Sequence, residues 1–114
     1  MNNTTHDMNL YPLPFDAVRS RTKTVEMRLN DEKRQKIRIG DLIRFTNVES
    51  GEELLARVLD RRVFQSFEEL YACYDKVSIG YKPDEEEDLD DMLLYYTKER
   101  IEQYGALALV IEVI

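Results

Sequence analysis

The sequence predicts an α+β fold, a small mixed β-barrel or strongly bent sheet with helices at its periphery. Three observations carry that expectation. Short runs with period-2 apolar alternation are separated by tight turns, which is how strands of a meandering sheet read. Helical signals come once near the start and then only late, so strands and helices do not alternate as they would in a doubly wound fold. The last stretch, 106–114, is apolar except for Glu112, as expected of a central strand covered on both faces. At 114 residues the chain makes one domain, 1–114. A chain of this size buries roughly 65% of its unfolded surface, enough for a core without disulfides.

Met8 to Tyr11 reads as a short strand, and Pro12 and Pro14 then open a helical turn that carries Phe15 and Val18 on one side. In 23–29, Val25, Met27 and Leu29 alternate with Thr24, Glu26 and Arg28, which predicts a half-buried strand. Asn30 to Gln35 is a charged turn. Ile37–Ile39 is a short extended piece, divided by Gly40-Asp41 from the strand Leu42–Phe45. The turn Asn47–Gly51 makes 42–46 and 54–64 a hairpin. Ser66 with Glu69 is a capping-box pattern, followed by the apolar stripe Phe67, Leu70, Tyr71. Val77 to Asp84, with Gly80 and Pro83, is a loop. A second helical region has Leu89, Met92, Leu93 and Tyr96 at helical spacing, a restart at Thr97, and a stop at Gly105. No repeat, low-complexity tract or linker divides the chain.

Composition narrows the function classes. One cysteine, Cys73, excludes an internal disulfide framework and a cysteine-cluster zinc site, and reads as a small buried hydrophobe. His6 is the only imidazole, so multi-histidine metal sites are excluded. No metal or cofactor is implied. The N-terminus lacks a basic and an apolar leader region, and no run approaches the ~18 apolar residues of a membrane span, so the expectation is a soluble, cytoplasmic protein without a membrane partner. The formal charge of -7 is unevenly spread: 84–91 hold seven acids and no base, and the remainder balances. From Arg19 to Arg38 eight bases face three acids. A local basic patch attracts anions despite a negative total, because screening limits distant charges to about 8 Å at physiological salt.

The run Arg21 to Arg28 is the candidate site. Lys23 can bind a phosphate or a base carbonyl as a point charge, or act as a base if burial removes its proton. Glu26 can accept from an exocyclic amine, and Arg28, on the same strand face, can orient it or hold a phosphate with paired hydrogen bonds. Alternation puts Lys23 on the opposite face unless it precedes the regular strand or sits at a bulge. Arg21 and Thr24 complete the ligand-binding candidates of this segment, and Lys23 and Glu26 are its catalytic candidates. The plainer alternative is a surface Glu26–Arg28 pair and a solvated Lys23. Arg57, Arg61 and Arg62 either extend the basic face or form a charged edge. Among the tyrosines, packing is the expected use, and Tyr81, in a loop, is the stacking candidate. The acidic run reads as a solvated helix entry.

The run Lys-Thr-x-Glu-x-Arg at 23–28, the turn Ile39-Gly40-Asp41, the helix start Ser66-Phe67-Glu68-Glu69-Leu70 and Tyr104-Gly105 before an apolar strand occur in an order that resembles the ASCH (activating signal cointegrator homology) domain, one of the PUA-like barrels. The resemblance spans nearly the whole chain. It implies a five- or six-stranded barrel with a cleft beside the Lys/Glu/Arg strand, and RNA, a nucleotide or a modified nucleoside as partner. One enzymatic branch of the family removes the acetyl group of N4-acetylcytidine with a Lys, a Thr three residues on and a distant Glu. Lys23 matches that Lys, but position 26 holds Glu, Thr22 and Thr24 only flank the Lys, and Glu85, Glu86 and Glu87 are the candidates for the distant carboxylate. Three functions follow as expectations: binding of RNA or a nucleotide in a basic-rimmed cleft, hydrolysis of an N4-acylated cytidine or similar nucleoside, or protein interaction through the acidic strip.

Overall fold

The computed structural model describes residues 3–114. The chain runs as β1 (Thr5–Leu10), α1 (Pro12–Arg19), β2 (Val25–Leu29), a 3₁₀ turn (Arg34–Lys36), β3 (Leu42–Asn47), β4 (Glu53–Phe64), α2 (Phe67–Cys73), a 3₁₀ helix (Leu89–Leu94), α3 (Lys98–Tyr104) and β5 (Ala106–Val113). The strands form one curled mixed sheet, a half-barrel, in the order β1-β3-β4-β5-β2. β1 pairs parallel with β3, and the other neighbours are antiparallel. The α+β class with peripheral helices therefore holds. No helix among the described residues is long and apolar enough to cross a membrane.

The connection from β1 to β2 shapes the molecule. These strands follow one another in sequence but occupy opposite edges of the sheet, so α1 has to bridge between them across the concave side. It buries Phe15 and Val18 there against Met8 and Leu10 of β1, Ile43 and Phe45 of β3, and Leu107, Leu109 and Ile111 of β5. The opposite face of β5, through Ala106 and Ala108, meets a second apolar cluster supplied by Val25, Phe64, and Phe67, Leu70 and Tyr71 of α2. Burial on both faces is why β5 reads as a continuous apolar run.

The same two-sidedness reaches β2. Directly opposed residues of an antiparallel pair share a face. Val25 and Met27 oppose Val110 and Ala108 on the α2 side, whereas Glu26 and Arg28 oppose Leu109 and Leu107 on the barrel side. The polar face expected to meet solvent thus turns into the half-barrel, and Glu26 is 2% exposed.

Several boundaries and placements differ from expectation for local reasons. β1 starts at Thr5, because Asp41 in the turn before β3 accepts from the Thr4 amide (3.2 Å), the Arg38 amide (3.0 Å) and His6 Nε2 (2.8 Å), and it ends at Leu10 because Tyr11 already caps α1. Ile37–Ile39 forms no strand; Ile37 closes the 3₁₀ turn and drops into the first core. The second helical region splits at Thr97, whose side chain caps α3 as expected, and its first half is a 3₁₀ helix in which Met92 alone is buried. Ser66 caps α2 by accepting from the Glu69 amide (3.2 Å), but Glu69 returns its carboxylate to the Gln65 amide (3.3 Å). Cys73 is exposed, not buried: the stripe Phe67, Leu70, Tyr71 continues at Tyr74 and leaves Cys73 on the outer side. The run 84–88 is exposed loop, and Asp88 caps the 3₁₀ helix by accepting from Asp90 N (2.9 Å).

Gly105 joins α3 to β5 with φ of +80°, and a Cβ there would lie 2.6 Å from the Phe64 carbonyl oxygen. Both the left-handed conformation and the contact forbid a side chain. Gly105→Ala is expected to lower stability by about 2 kcal/mol or more, measured as a shift in the urea midpoint. An unchanged midpoint would mean that β4 yields freely at Phe64.

Candidate functional site

The sheet does not close between its edge strands β1 and β2, and a cleft lies at that seam. It measures about 410 Å³. Asn9 and Leu10 of β1 line one side and Lys23, Glu26, Met27 and Arg28 the other. Tyr11 and Pro14 at the start of α1, Val48 of the β3–β4 turn, and Met92, Tyr95 and Tyr96 of the 3₁₀ helix and its end complete the wall.

Lys23 joins Glu26 because it precedes β2. The amides of Thr22 and Lys23 both donate to the Ala17 carbonyl oxygen of α1 (3.1 and 3.0 Å), and those of Thr24 and Val25 to the Ser78 carbonyl oxygen (2.9 Å each). The chain therefore enters β2 already bent, and the lysine stem is not bound by strand alternation. Gly80, at φ +115°, lets the following loop lie on that stem: a Cβ there would come 3.3 Å from Lys23 Cδ. Lys23 Nζ donates to Glu26 Oε1 at 2.7 Å. Arg28 Nε and Nη2 donate to Glu26 Oε2 at 3.3 and 2.9 Å, and Nη2 also reaches the Asn9 carbonyl oxygen of β1 at 3.0 Å. That last contact bridges the seam.

The trio is buried: the side chains of Lys23, Glu26 and Arg28 are 8%, 3% and 16% exposed. Burial pushes the Glu26 carboxyl up, but the charges of Lys23 and Arg28 and their hydrogen bonds more than reverse this and hold it at about 2. Burial likewise opposes the charge of Arg28, and Glu26 overcomes it. Glu26 also accepts from the Met27 amide at 3.1 Å. A carboxylate has about four lone-pair sites, and Lys23, Met27 and two nitrogens of Arg28 occupy them. Glu26 thus spends its acceptors on two cations and the Met27 amide. Lys23, by contrast, uses one of its three donors on Glu26, its one hydrogen-bond acceptor among the described residues.

The other sequence candidates lie apart from this arrangement. Arg21 and Thr24 line a separate cavity of about 240 Å³ that shares Lys23 with the first. Arg21 is exposed, with φ of 69°, at the end of α1. Tyr81 does not line the cleft: its ring meets Tyr71 edge-on at 6.0 Å, and its hydroxyl bonds Tyr71, Asp88 and Asp91. Burial, first, then Tyr71 and Asp91 push its phenol well above the usual range, against a smaller opposing effect of the Asp88 backbone. The β4 arginines do not extend the site either. Arg57 donates to the Gly40 carbonyl oxygen, Arg61 to Asn30 and the Arg34 carbonyl oxygen, and Arg62 lies over the Phe64 ring. The cleft's two cations, Lys23 and Arg28, are largely buried, and apart from Glu26 its other lining residues are neutral and largely apolar. Glu85, Glu86 and Glu87 do not line it.

Sequence reasoning overlooked Tyr95 and Tyr96 as cleft residues. In a 3₁₀ helix residues i and i+3 eclipse, which brings Met92 and Tyr95 onto one wall. Tyr96 is held by stacking on Phe67, with centroids 6.2 Å apart and planes 5° apart, whereas Tyr95 is 59% exposed. The adjacent tyrosines after Met92 were the available signal: at i+3 and i+4 they share its side of a helix.

Removing one member of a buried ion group strands the others. Glu26→Gln is expected to cost about 3 kcal/mol at neutral pH. Because the native Glu26 value of about 2 lies below its ordinary 4.5, its stabilisation is complete above pH 4.5 and drains away as pH falls toward 2. Urea midpoints measured from pH 7 downward should therefore converge for wild type and Glu26→Gln. Parallel curves would show that the carboxylate is not coupled to folding.

The ASCH domain family model matches residues 8–114. The crystal structure of hypothetical protein PH0355 is similar at 29% identity and a TM-score of 0.81, covering 97% of this chain and 100% of that one. The solution NMR structure of protein PF0455 from Pyrococcus furiosus is similar at 31% identity and a TM-score of 0.73, covering 97% of this chain and 98% of that one. No curated protein matches the chain. With the match running from β1 to the last residue over a half-barrel whose seam carries the Lys-Thr-x-Glu-x-Arg run, the chain belongs to the ASCH domain family.

Proposed function

We propose that the protein binds a nucleotide or nucleoside, free or within RNA, in the seam cleft. One observation carries this reading: a buried ammonium and guanidinium, fixed by a shared carboxylate, adjoin a cavity walled by tyrosine and methionine side chains. The trio carries one net positive charge, so it favours a single anionic group or a carbonyl oxygen. Lys23 has donors to spare for such an acceptor, and Tyr95, with Met27 and Met92, offers apolar surface to a planar ring. A ligand with a flat ring at one end and oxygen acceptors at the other fits both halves.

Hydrolysis of an acylated cytidine has less support. It needs a carboxylate free to move a proton, and Glu26 has its acceptors filled and a value of about 2. The hydroxyl that the acetyl-removing branch has at position 26 is absent here.

Titrating the protein with the four ribonucleoside 5′-monophosphates and following amide shifts by NMR tests the reading. The largest changes are expected at Lys23, Glu26, Arg28, Tyr95 and Tyr96. Tyr95→Ala removes an exposed side chain, so the fold should be kept while affinity falls by about 1–3 kcal/mol, the usual contribution of one base stacked on an aromatic ring. Binding that ignores Tyr95 and Lys23→Met, or maps elsewhere, would sink the proposal.

A further inference from the structure

We infer that the loop joining β2 to β3 is a second binding surface, separate from the seam cleft, and that it holds the phosphate backbone of a nucleic acid. Four of the six residues from Lys33 to Arg38 are basic. The loop is a fixed platform for them. Asp31 and Asp41 tie down its two ends by accepting from the Arg34 amide (3.1 Å) and the Arg38 amide (3.0 Å), and Ile37, 2% exposed, is sunk in the first core. With the chain pinned inward at Ile37, the side chains of Lys33, Lys36 and Arg38 stay exposed. None of the three has an ion-pair partner among the described residues.

Two arginines of β4 add to this charge. Arg57 donates to the Gly40 carbonyl oxygen at 3.2 Å, and Arg61 to Asn30 Oδ1 and the Arg34 carbonyl oxygen at 3.4 Å each. Neither meets a carboxylate, and the Nε atoms of Arg34 and Arg61 are buried without an acceptor. Between 30 and 41 the acids are Asp31, Glu32 and Asp41. Asp31 is held by Arg34 at 2.7 Å, Glu32 accepts from the Tyr104 hydroxyl at 3.4 Å, and Asp41 is buried on His6 and on the Thr4 and Arg38 amides. Asp60 opposes Val110 on the α2 side of the sheet, whereas Arg61 opposes Leu109 on the barrel side. Six bases thus face three acids, and the three outermost bases are unpaired.

A small anion engages one or two such cations, whereas a nucleic acid presents one phosphate per nucleotide and engages the row together. Guanidinium forks also match phosphate oxygens in geometry. Ile39 is the one exposed large apolar side chain between Asn30 and Asp41, so the surface lacks the clustered apolar anchors of a protein interface. A polar, strongly positive surface is what contacts with nucleic acid use. None of residues 30–41 lines the seam cleft, so this surface is independent of what the cleft holds.

The test is fluorescence anisotropy of a labelled mixed-sequence RNA of about twelve nucleotides, with DNA of the same sequence alongside, on the intact protein at about 50 and 200 mM salt. Both polymers are expected to bind, because contacts to phosphates do not read bases. Affinity should fall about twentyfold between the two salt concentrations, as for three phosphates neutralised on a single strand. The exposed triple variant Lys33→Ala, Lys36→Ala, Arg38→Ala should lose about tenfold in RNA affinity at low salt and most of the salt dependence. Its urea midpoint and any binding of monophosphates should not change. Lys33→Arg, Lys36→Arg, Arg38→Lys keeps the charges and should keep the binding. Arg21→Ala, Lys82→Ala, Lys98→Ala removes the same net charge from exposed residues outside the loop and should cost much less. Equal losses in the two alanine triples, loss of binding in the charge-keeping variant, or no RNA binding at low salt would each overturn the inference. RNA held through the loop with no monophosphate bound would uphold it and remove the seam-cleft reading instead.

Discussion

The seam depends on one carboxylate. An open sheet of five strands leaves two edges, and here the edges face one another without a backbone ladder to join them. Glu26 stands where that ladder is missing, drawing Lys23 in from the approach to β2 and Arg28 from two residues further along, while Arg28 reaches over to the Asn9 carbonyl oxygen. Buried ion groups do little for stability compared with apolar packing, because desolvation consumes most of the attraction. Their use is geometric: they permit one arrangement and penalise the others. That specificity leaves two cations held in a dry wall beside open space, without backbone strands filling it.

β5 explains why the carboxylate ends up inside. Both faces of that strand are apolar and both are covered, one by α1 across the concave side and one by α2. β2 lies beside β5 and inherits the same two environments. Its apolar residues meet α2, so its polar residues face into the half-barrel near Leu107 and Leu109. A charge in that position is tolerated only with partners of opposite sign, and the neighbouring sequence supplies both.

Much of the fold was legible in the residues. The hairpin of β3 and β4, the caps at Ser66 and Thr97, the stop at Gly105 and the covered final strand follow from local chemistry that tertiary contacts did not override. The candidate site was legible in part. The Lys-Thr-x-Glu-x-Arg run identified its polar residues and the family, and of the two ways left open for Lys23 to join Glu26, the structure has the first, with Lys23 ahead of the regular strand. Burial was not legible: alternating Val, Met and Leu say that one face of β2 is covered, but nothing local says that the other face is covered too. The place of Tyr81, away from the cleft, was not legible for a related reason. A loop tyrosine reads as available, yet its hydroxyl closes a network with Tyr71 and Asp91 that only the packed loop creates. Cys73 missed burial by a fraction of a helical turn.

The anchorage of Lys23 bears on when the cleft comes into being. Its backbone rests on Ala17 from α1, its neighbours on Ser78 from a loop far along the chain, and β2 itself on β5 at the very end, Val25 opposite Val110. Contacts so distant in sequence carry a large loop-closure entropy, which the packed fold as a whole has to offset. A nascent chain or a partly folded species can hold the β3–β4 hairpin and still lack any cleft. The cleft therefore belongs to the folded molecule as a whole, and any ligand held in the seam would stabilise the entire fold rather than one part of it.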